Sequence, residues 1–255
     1  CDNKKQSLDK DNMRALITAF RTLTIIPLPG RDTERFSDSL IHFPLVGAFV
    51  GILTAAVAWA AGTWAGWTEA GAVFALAVSV LVTGALHMDG LADVFDSMGA
   101  HDRQKKLEIM KDPRIGSFGV VALAIFLLIK YVALHRSCLR HEFDWLLVLP
   151  FVISRLGQVA VIVCLPYARA EGGTAKRFVE GAGPGHLAIA ALFSVAICFA
   201  AGWVFGLTLL VAMAVPVIFL MVWMRKIYGG VTGDLVGMTS EVVETMSLVA
   251  IGFIV

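Results

Sequence analysis

Seven apolar runs, each close to the length of a bilayer-crossing helix, constrain this chain more than any other feature of its sequence. They cover about 40–61, 70–86, 117–134, 145–165, 187–205, 207–223 and 235–255. A helix needs about 20 mostly apolar residues to cross the hydrocarbon core of a bilayer. Lipid offers no hydrogen bonds to a bare backbone, so each such run must satisfy its own peptide groups as a helix. The predicted fold is therefore all-α: a polytopic membrane helical bundle of about seven transmembrane helices plus amphipathic interfacial helices. It forms one integral membrane domain over 1–255, with a polar N-terminal tail at 1–12 expected to be poorly ordered. Composition agrees. The 255 residues are 58% hydrophobic and 16% charged, with a mean hydropathy of +0.78, against about 25% charged residues in soluble domains.

The segments between the runs have their own character. Met13 to Ile26 alternates apolar positions with Arg14, Arg21 and threonines, which reads as a short interfacial helix ended by Pro27 and Pro29. Residues 31–39 read as a solvated linker, with a substrate-facing loop as the alternative. Residues 101–111 read as a charged amphipathic helix closed by Asp112-Pro113. Trp59, Trp64 and Trp67 mark one membrane interface. Lys and Arg gather in the N-terminal region, in 101–114, in 169–177 and at Arg225 and Lys226, whereas the loops at 62–69 and 200–206 have none. Only Arg136 and Arg140 break the pattern. By the positive-inside rule the N-terminus and the polar loops face the cytoplasm. The net charge of +1 comes with no concentrated basic stripe, so no nucleic-acid partner is expected. Cys1, Cys138, Cys164 and Cys198 are scattered without metal or disulfide spacing. Cys1 is read as part of a polar tail rather than as a lipidated residue.

Four polar clusters could carry chemistry. The first follows the second apolar run: Asp89, Asp93 and Asp96, at i, i+4 and i+7, fall within roughly 60° of one another on a helix. Three like charges on one stripe repel, and a bound cation would remove the repulsion. Oxygen-only ligands favour a hard ion such as Mg²⁺. His87 points off the stripe and reads as a packing or interfacial histidine. The second cluster, Lys111 to Gly119, sets Lys111 and Arg114 beside two glycines at a helix start, fit to hold a phosphate. As a bare pattern it fits a membrane anchor and a turn equally well. The third is Pro166-Tyr167-Ala168-Arg169, below a run whose middle holds Arg155. A mid-membrane arginine requires a carboxylate or phosphate partner. The fourth is Gly229-Gly230-Val231-Thr232-Gly233-Asp234, followed by Glu241 and Glu244. Its glycines permit close backbone approach to a ligand, and two acids inside a nominal span call for a metal, a cation or an aqueous cavity. No Walker A, dinucleotide or serine-elbow motif is present.

Taken together, Leu86-His87-Met88-Asp89-Gly90-Leu91-Ala92-Asp93, Asp112-Pro113-Arg114-Ile115-Gly116, Pro166-Tyr167-Ala168-Arg169 and Gly229-Gly230-Val231-Thr232-Gly233-Asp234 resemble the cobalamin synthase (adenosylcobinamide-GDP ribazoletransferase) family. The resemblance spans nearly the whole chain in order. It departs only at Met88, where an aliphatic residue is expected, and at Pro113, where serine is common. It implies a bacterial inner-membrane, Mg²⁺-dependent enzyme that joins adenosylcobinamide-GDP to α-ribazole 5′-phosphate (or α-ribazole), releasing GMP and forming adenosylcobalamin 5′-phosphate (or adenosylcobalamin). On that reading Asp89, Asp93, Asp96 and Asp234 hold metal, and Glu241 or Glu244 completes a second site or acts as base. Lys111, Arg114, Arg155 and Arg169 meet phosphates or a buried acid, and Gly229, Gly230, Thr232 and Gly233 approach the nucleotide. The implied partners are the two small-molecule substrates and the lipid bilayer. A homo-oligomer and association with other cobalamin-assembly enzymes both fit. Two alternatives stand beside it: a CDP-alcohol-type phosphotransferase, disfavoured because Asp93 follows Ala92 where that family has arginine, and an ion-coupled transporter.

Overall fold

The computed structural model describes every residue except Cys1, Ala65, His141, Glu142 and Val255, so the reading of Cys1 lies outside the described residues. The chain forms helices α1 (Asp2–Leu23), α2 (Phe43–Trp64), α3 (Thr68–Val82), α4 (Leu86–Ser97), α5 (Arg103–Ile109), α6 (Ser117–Cys138), α7 (Leu149–Cys164), α8 (Lys176–Val179), α9 (Pro184–Ile227) and α10 (Gly233–Gly252). Short 3₁₀ helices at Phe36–His42 and Trp145–Val148 lead into α2 and α7. Among the described residues β pairing is confined to one isolated parallel bridge, Tyr167 with Val231. The polytopic helical membrane bundle expected from the apolar runs is the fold observed.

Two helices form its centre. Within their most apolar windows, 78% of the α7 span and 72% of the α10 span are buried, against 28% for α6 and α9, which face outward. Helix α10 packs on α4 and α7, and α7 on α2 and α9. In lipid the hydrophobic effect does not choose between helix neighbours, so close backbone approach must. Gly47 of α2 illustrates it: a Cβ there would collide with the Phe151 carbonyl of α7.

About seven crossings are expected, and two breaks in the chain decide how they are counted. Among the described residues five helices are long and apolar enough to cross a bilayer, or six if the bent α3–α4 pair counts as one span. The runs at 187–205 and 207–223 form the two legs of α9, which meet at the non-helical Trp203 (φ 47°, ψ −134°). There the chain doubles back, since a Cβ on Gly206 would strike the Cys198 carbonyl. Ala190 near one end shares a core with Leu220 and Met224 near the other. The run at 70–86 also does not continue straight into the acidic stripe. It ends at Val82, and α4 leaves at 86° to α3 through Gly84 and Ala85, both with positive φ. A left-handed alanine is strained, and the packing of α4 holds it there.

At the N-terminus α1 begins at Asp2. Its buried face of Ala15, Thr18, Ala19 and Leu23 makes it the amphipathic helix that the apolar spacing predicts. The segment 31–39 is not a solvated linker. Thr33 donates its backbone N–H to Thr18 Oγ1 at 2.9 Å, and Ser37 and Ser39 are buried. Arg21 ties the segment down through the carbonyls of Leu28 and Gly30 and through Asp32. Helix α5 forms within the expected charged stretch, with the Asp102 side chain accepting from Lys105 N–H at its start. Cys138, Cys164 and Cys198 are free thiols.

Candidate active site

The site forms where the start of α10 crosses α4. Gly90 permits the crossing: a Cβ there would lie 2.7 Å from the Asp234 carbonyl oxygen and 2.9 Å from its Cα. Helix α4 therefore needs glycine between two of its acids to bring Asp234 beside them. Asp89, Asp93 and Asp234 line one cavity of about 290 Å³, together with Ala92, Met110, Lys111, Asp112, Pro113 and Ile115. Asp93 sits in the negative field of Asp89, Asp234 and Asp96, with Arg169 as the opposing charge. Arg169 donates to Asp234 Oδ2 at 2.6 Å, and Thr232 Oγ1 lies 3.3 Å from the same oxygen. Thr232 also caps α10, its hydroxyl accepting from Leu235 N–H.

Asp96 departs from the expected stripe. Its Oδ2 accepts from Gly116 N–H at 2.7 Å and its Oδ1 from Gly119 N–H at 2.8 Å. It thus holds the N-terminus of α6, where a carboxylate offsets the unsatisfied amides and the helix dipole. The two glycines of the second cluster serve this contact, for a Cβ on either would collide with the Asp96 carboxyl. Lys111 pairs with Glu171, which holds the Glu171 carboxyl below its ordinary range. Arg114 pairs with Asp112 at 2.6 Å in open solvent, and this hydrogen-bonded guanidinium holds Asp112 down at about 2. Such exposed pairs contribute little and separate readily.

The glycine loop approaches the chain itself rather than an open cavity. Val231 donates its backbone N–H to the Pro166 carbonyl at 2.8 Å, and Ala168 N–H donates to the Val231 carbonyl at 2.9 Å. A Cβ on Gly230 would strike the Pro166 carbonyl, and one on Gly229 the Arg103 guanidinium. Arg103, which the sequence reading passed over, donates to the Ala168 carbonyl at 3.1 Å and clamps the two loops together. Of the four loop residues expected at the nucleotide, Gly233 lines a cavity beside Asp234.

Glu241, Glu244 and Arg155 are not part of the acidic cavity. Lys130 of α6 reaches both acids, at 2.5 Å to Glu241 and 2.7 Å to Glu244. Arg155 lies 3.9 Å from Glu244 and donates to Ser240. All four charged groups are buried. Two cations meet two acids, so the set needs no metal and no aqueous cavity. Arg155 does find the carboxylate that its mid-membrane position demanded. Lys130 was missed, although a lone lysine inside an apolar run is the same signal that singled out Arg155.

Among the described residues no group of three or more His, Cys, Asp or Glu side chains is preassembled at metal-binding separations. The donor chemistry of the cavity nevertheless suits a hard divalent cation, since Asp89, Asp93 and Asp234 offer only oxygen and repel one another without one.

A second cavity, of about 440 Å³, adjoins the first and shares Asp89 and Asp234 with it. Its other walls include Leu23, Phe36, Phe43, Ile162 and Phe178, with Gln158 and His87 among its polar groups. His87 is buried where α4 meets α10, as its packing role predicts: a Cβ on Gly237 would lie 3.2 Å from His87 Cα.

The chain is similar to known proteins over nearly its whole length. Residues 15–252 match the family model described as cobalamin-5-phosphate synthase. The chain is 42% identical over 236 residues to an adenosylcobinamide-GDP ribazoletransferase of Prosthecochloris aestuarii, covering 91% of this chain and 94% of that protein. A relative of the same name from Chlorobium phaeovibrioides is 41% identical, with 94% and 97% covered. Another from Geotalea daltonii is 38% identical, with 94% and 98% covered. No solved structure matches.

Proposed function

This chain belongs to the cobalamin-5-phosphate synthase family, and on that premise we propose that it joins adenosylcobinamide-GDP to α-ribazole 5′-phosphate, or to α-ribazole, releasing GMP. It is a membrane transferase of cobalamin biosynthesis acting on small molecules. The observation that carries the finer reading is the convergence of Asp89, Asp93 and Asp234 on one cavity with Lys111 at its wall. The proposed reaction is displacement at the cobinamide-side phosphorus by a ribazole hydroxyl, with GMP leaving. Asp89, Asp93 and Asp234 would hold Mg²⁺. When bound, the ion would offset charge building on the diphosphate.

The chain's own residues supply the rest. Lys111 and Arg169 are the cations nearest the acids, and each now leans on a carboxylate that a phosphate can replace. Arg114, exposed and held only by Asp112, can swing to the same mouth. Asp89 and Asp234 border both cavities, so either stands where an attacking hydroxyl must give up its proton. Asp96 and Arg103 act as positioning residues, one fixing the 110–119 turn and the other the paired loops. The positive-inside pattern supports a bacterial inner-membrane protein with these loops in the cytoplasm.

GMP release from adenosylcobinamide-GDP by the purified full chain, with and without Mg²⁺ and α-ribazole phosphate, tests the proposal. Release that requires all three components is the expected result. Undiminished release after chelation would overturn the metal assignment, and release independent of ribazole phosphate would overturn the transfer.

A further inference from the structure

The larger cavity carries a feature that the reaction at the acids does not use. Gln158 is 1% exposed, yet neither its amide nitrogen nor its amide oxygen has a hydrogen-bond partner. His87 Nε2, in the same cavity, is also buried and unpartnered. A buried polar group left unpaired is costly, and a helix that needed only to pack would have no reason to keep a glutamine there. The walls facing these groups are Leu23, Phe36, Phe43, Ile162, Phe178 and Val236. Flat apolar walls with a few convergent polar atoms describe a pocket for a small aromatic ligand.

We propose that this cavity receives the heteroaromatic base of the ribazole substrate, with Gln158 hydrogen-bonding its ring nitrogen. The inference rests on the proposed function and assigns the subsite of one of its two substrates. Three facts converge on it. The cavity volume of about 440 Å³ lies within the usual range for small-molecule sites. One end opens on Asp89, Gly90, Gly233 and Asp234, so a base seated against Gln158 presents its ribose hydroxyls to the acids. Arg177, which stacks its guanidinium 3.6 Å from the centre of the Phe36 ring, stands at the wall to meet a ribose phosphate. An acyl chain would fill the same walls but leave Gln158 and His87 without partners. A ring nitrogen accepts from the Gln158 amide N–H, and a sugar hydroxyl can donate to the Gln158 amide oxygen or pair with His87 Nε2.

The test uses the full chain in detergent and the variant Gln158→Leu, with Val236→Phe as a second variant that narrows the cavity without touching a polar group. Equilibrium dialysis of α-ribazole measures binding directly, and steady-state kinetics give the two KM values. The expected result is about a tenfold weaker α-ribazole affinity and an equally raised KM for ribazole phosphate in either variant. The KM for adenosylcobinamide-GDP should hold within about twofold. Unchanged α-ribazole binding in a folded variant overturns the assignment, as does a rise confined to the KM for adenosylcobinamide-GDP. If the wild type binds α-ribazole and Gln158→Leu does not, the subsite stands even where no GMP is released, so failure of the reaction and failure of the subsite are distinguishable.

Discussion

Helix α10 carries two acidic sites about two turns apart, and they have opposite character. At its start Asp234 joins Asp89 and Asp93 in an accessible cavity where negative charge is in excess and Arg169 is the direct counter-ion. Deeper in, Glu241 and Glu244 meet Lys130 and Arg155 in a sealed set with equal numbers of each sign. The first is poised for something from solution, while the second balances its charges within itself. A charge set that balances itself inside a membrane fixes how helices pack. One that does not balance, and that solvent can reach, is where a ligand belongs.

The comparison breaks most decisively on Asp93→Asn. Loss of several kcal/mol of charge stabilisation is about a thousandfold in rate, so GMP release should fall by that factor. Thermal stability should hold or rise, because one member of a repelling cluster is neutralised. A folded Asp93→Asn protein with near-normal turnover would sink the distinction. Lys130→Met should do the reverse. Removing one partner of a buried ionic set costs about 3–5 kcal/mol, so the unfolding midpoint in detergent should drop sharply. Neutralising both sides in Lys130→Met with Glu241→Gln should recover part of that loss, since fewer unpaired charges then remain buried. No recovery would mean that the network does more than balance itself.

Gly90→Ala probes the contact that creates the first site. A methyl group against the Asp234 backbone must part α4 from α10, and overpacking of this kind costs about 1–3 kcal/mol. Activity should fall further than stability does, because the displaced groups are the acids themselves. Equal small losses in both would show that the crossing is not specific to the cavity. The mildest change is Arg114→Ala. Exposed and paired with Asp112, it should leave the unfolding midpoint unmoved and raise the KM for adenosylcobinamide-GDP a few-fold.

The membrane bundle, the amphipathic α1 and the charged α5 were legible because each depends on spacing along the chain. So was the stripe of Asp89 and Asp93, and so was the demand of Arg155 for an acid. The sequence misled at Asp96, which shares the helical face of the other two but whose oxygens are taken by the amides of Gly116 and Gly119. It misled again at Glu241 and Glu244, which share the face of Asp234 yet meet Lys130. Gly229 and Gly230 advertised a close approach, and the partner proved to be Pro166 and Arg103. Gln158 gave no signal at all, being one polar residue on a largely apolar helix.

Hydrophobic run length and helical periodicity are local quantities, so the sequence by itself determined that this chain crosses a membrane as helices and which acids share a face. Which faces meet is not local. In lipid every apolar surface is equally content beside tails or another helix, and the choice falls to close backbone contacts such as Gly90 against Asp234 and to the pairing of buried charges. Those contacts lie between residues distant in the chain. Only the tertiary structure decided that Asp234 joins Asp89 and Asp93, and that Glu241 and Glu244 do not.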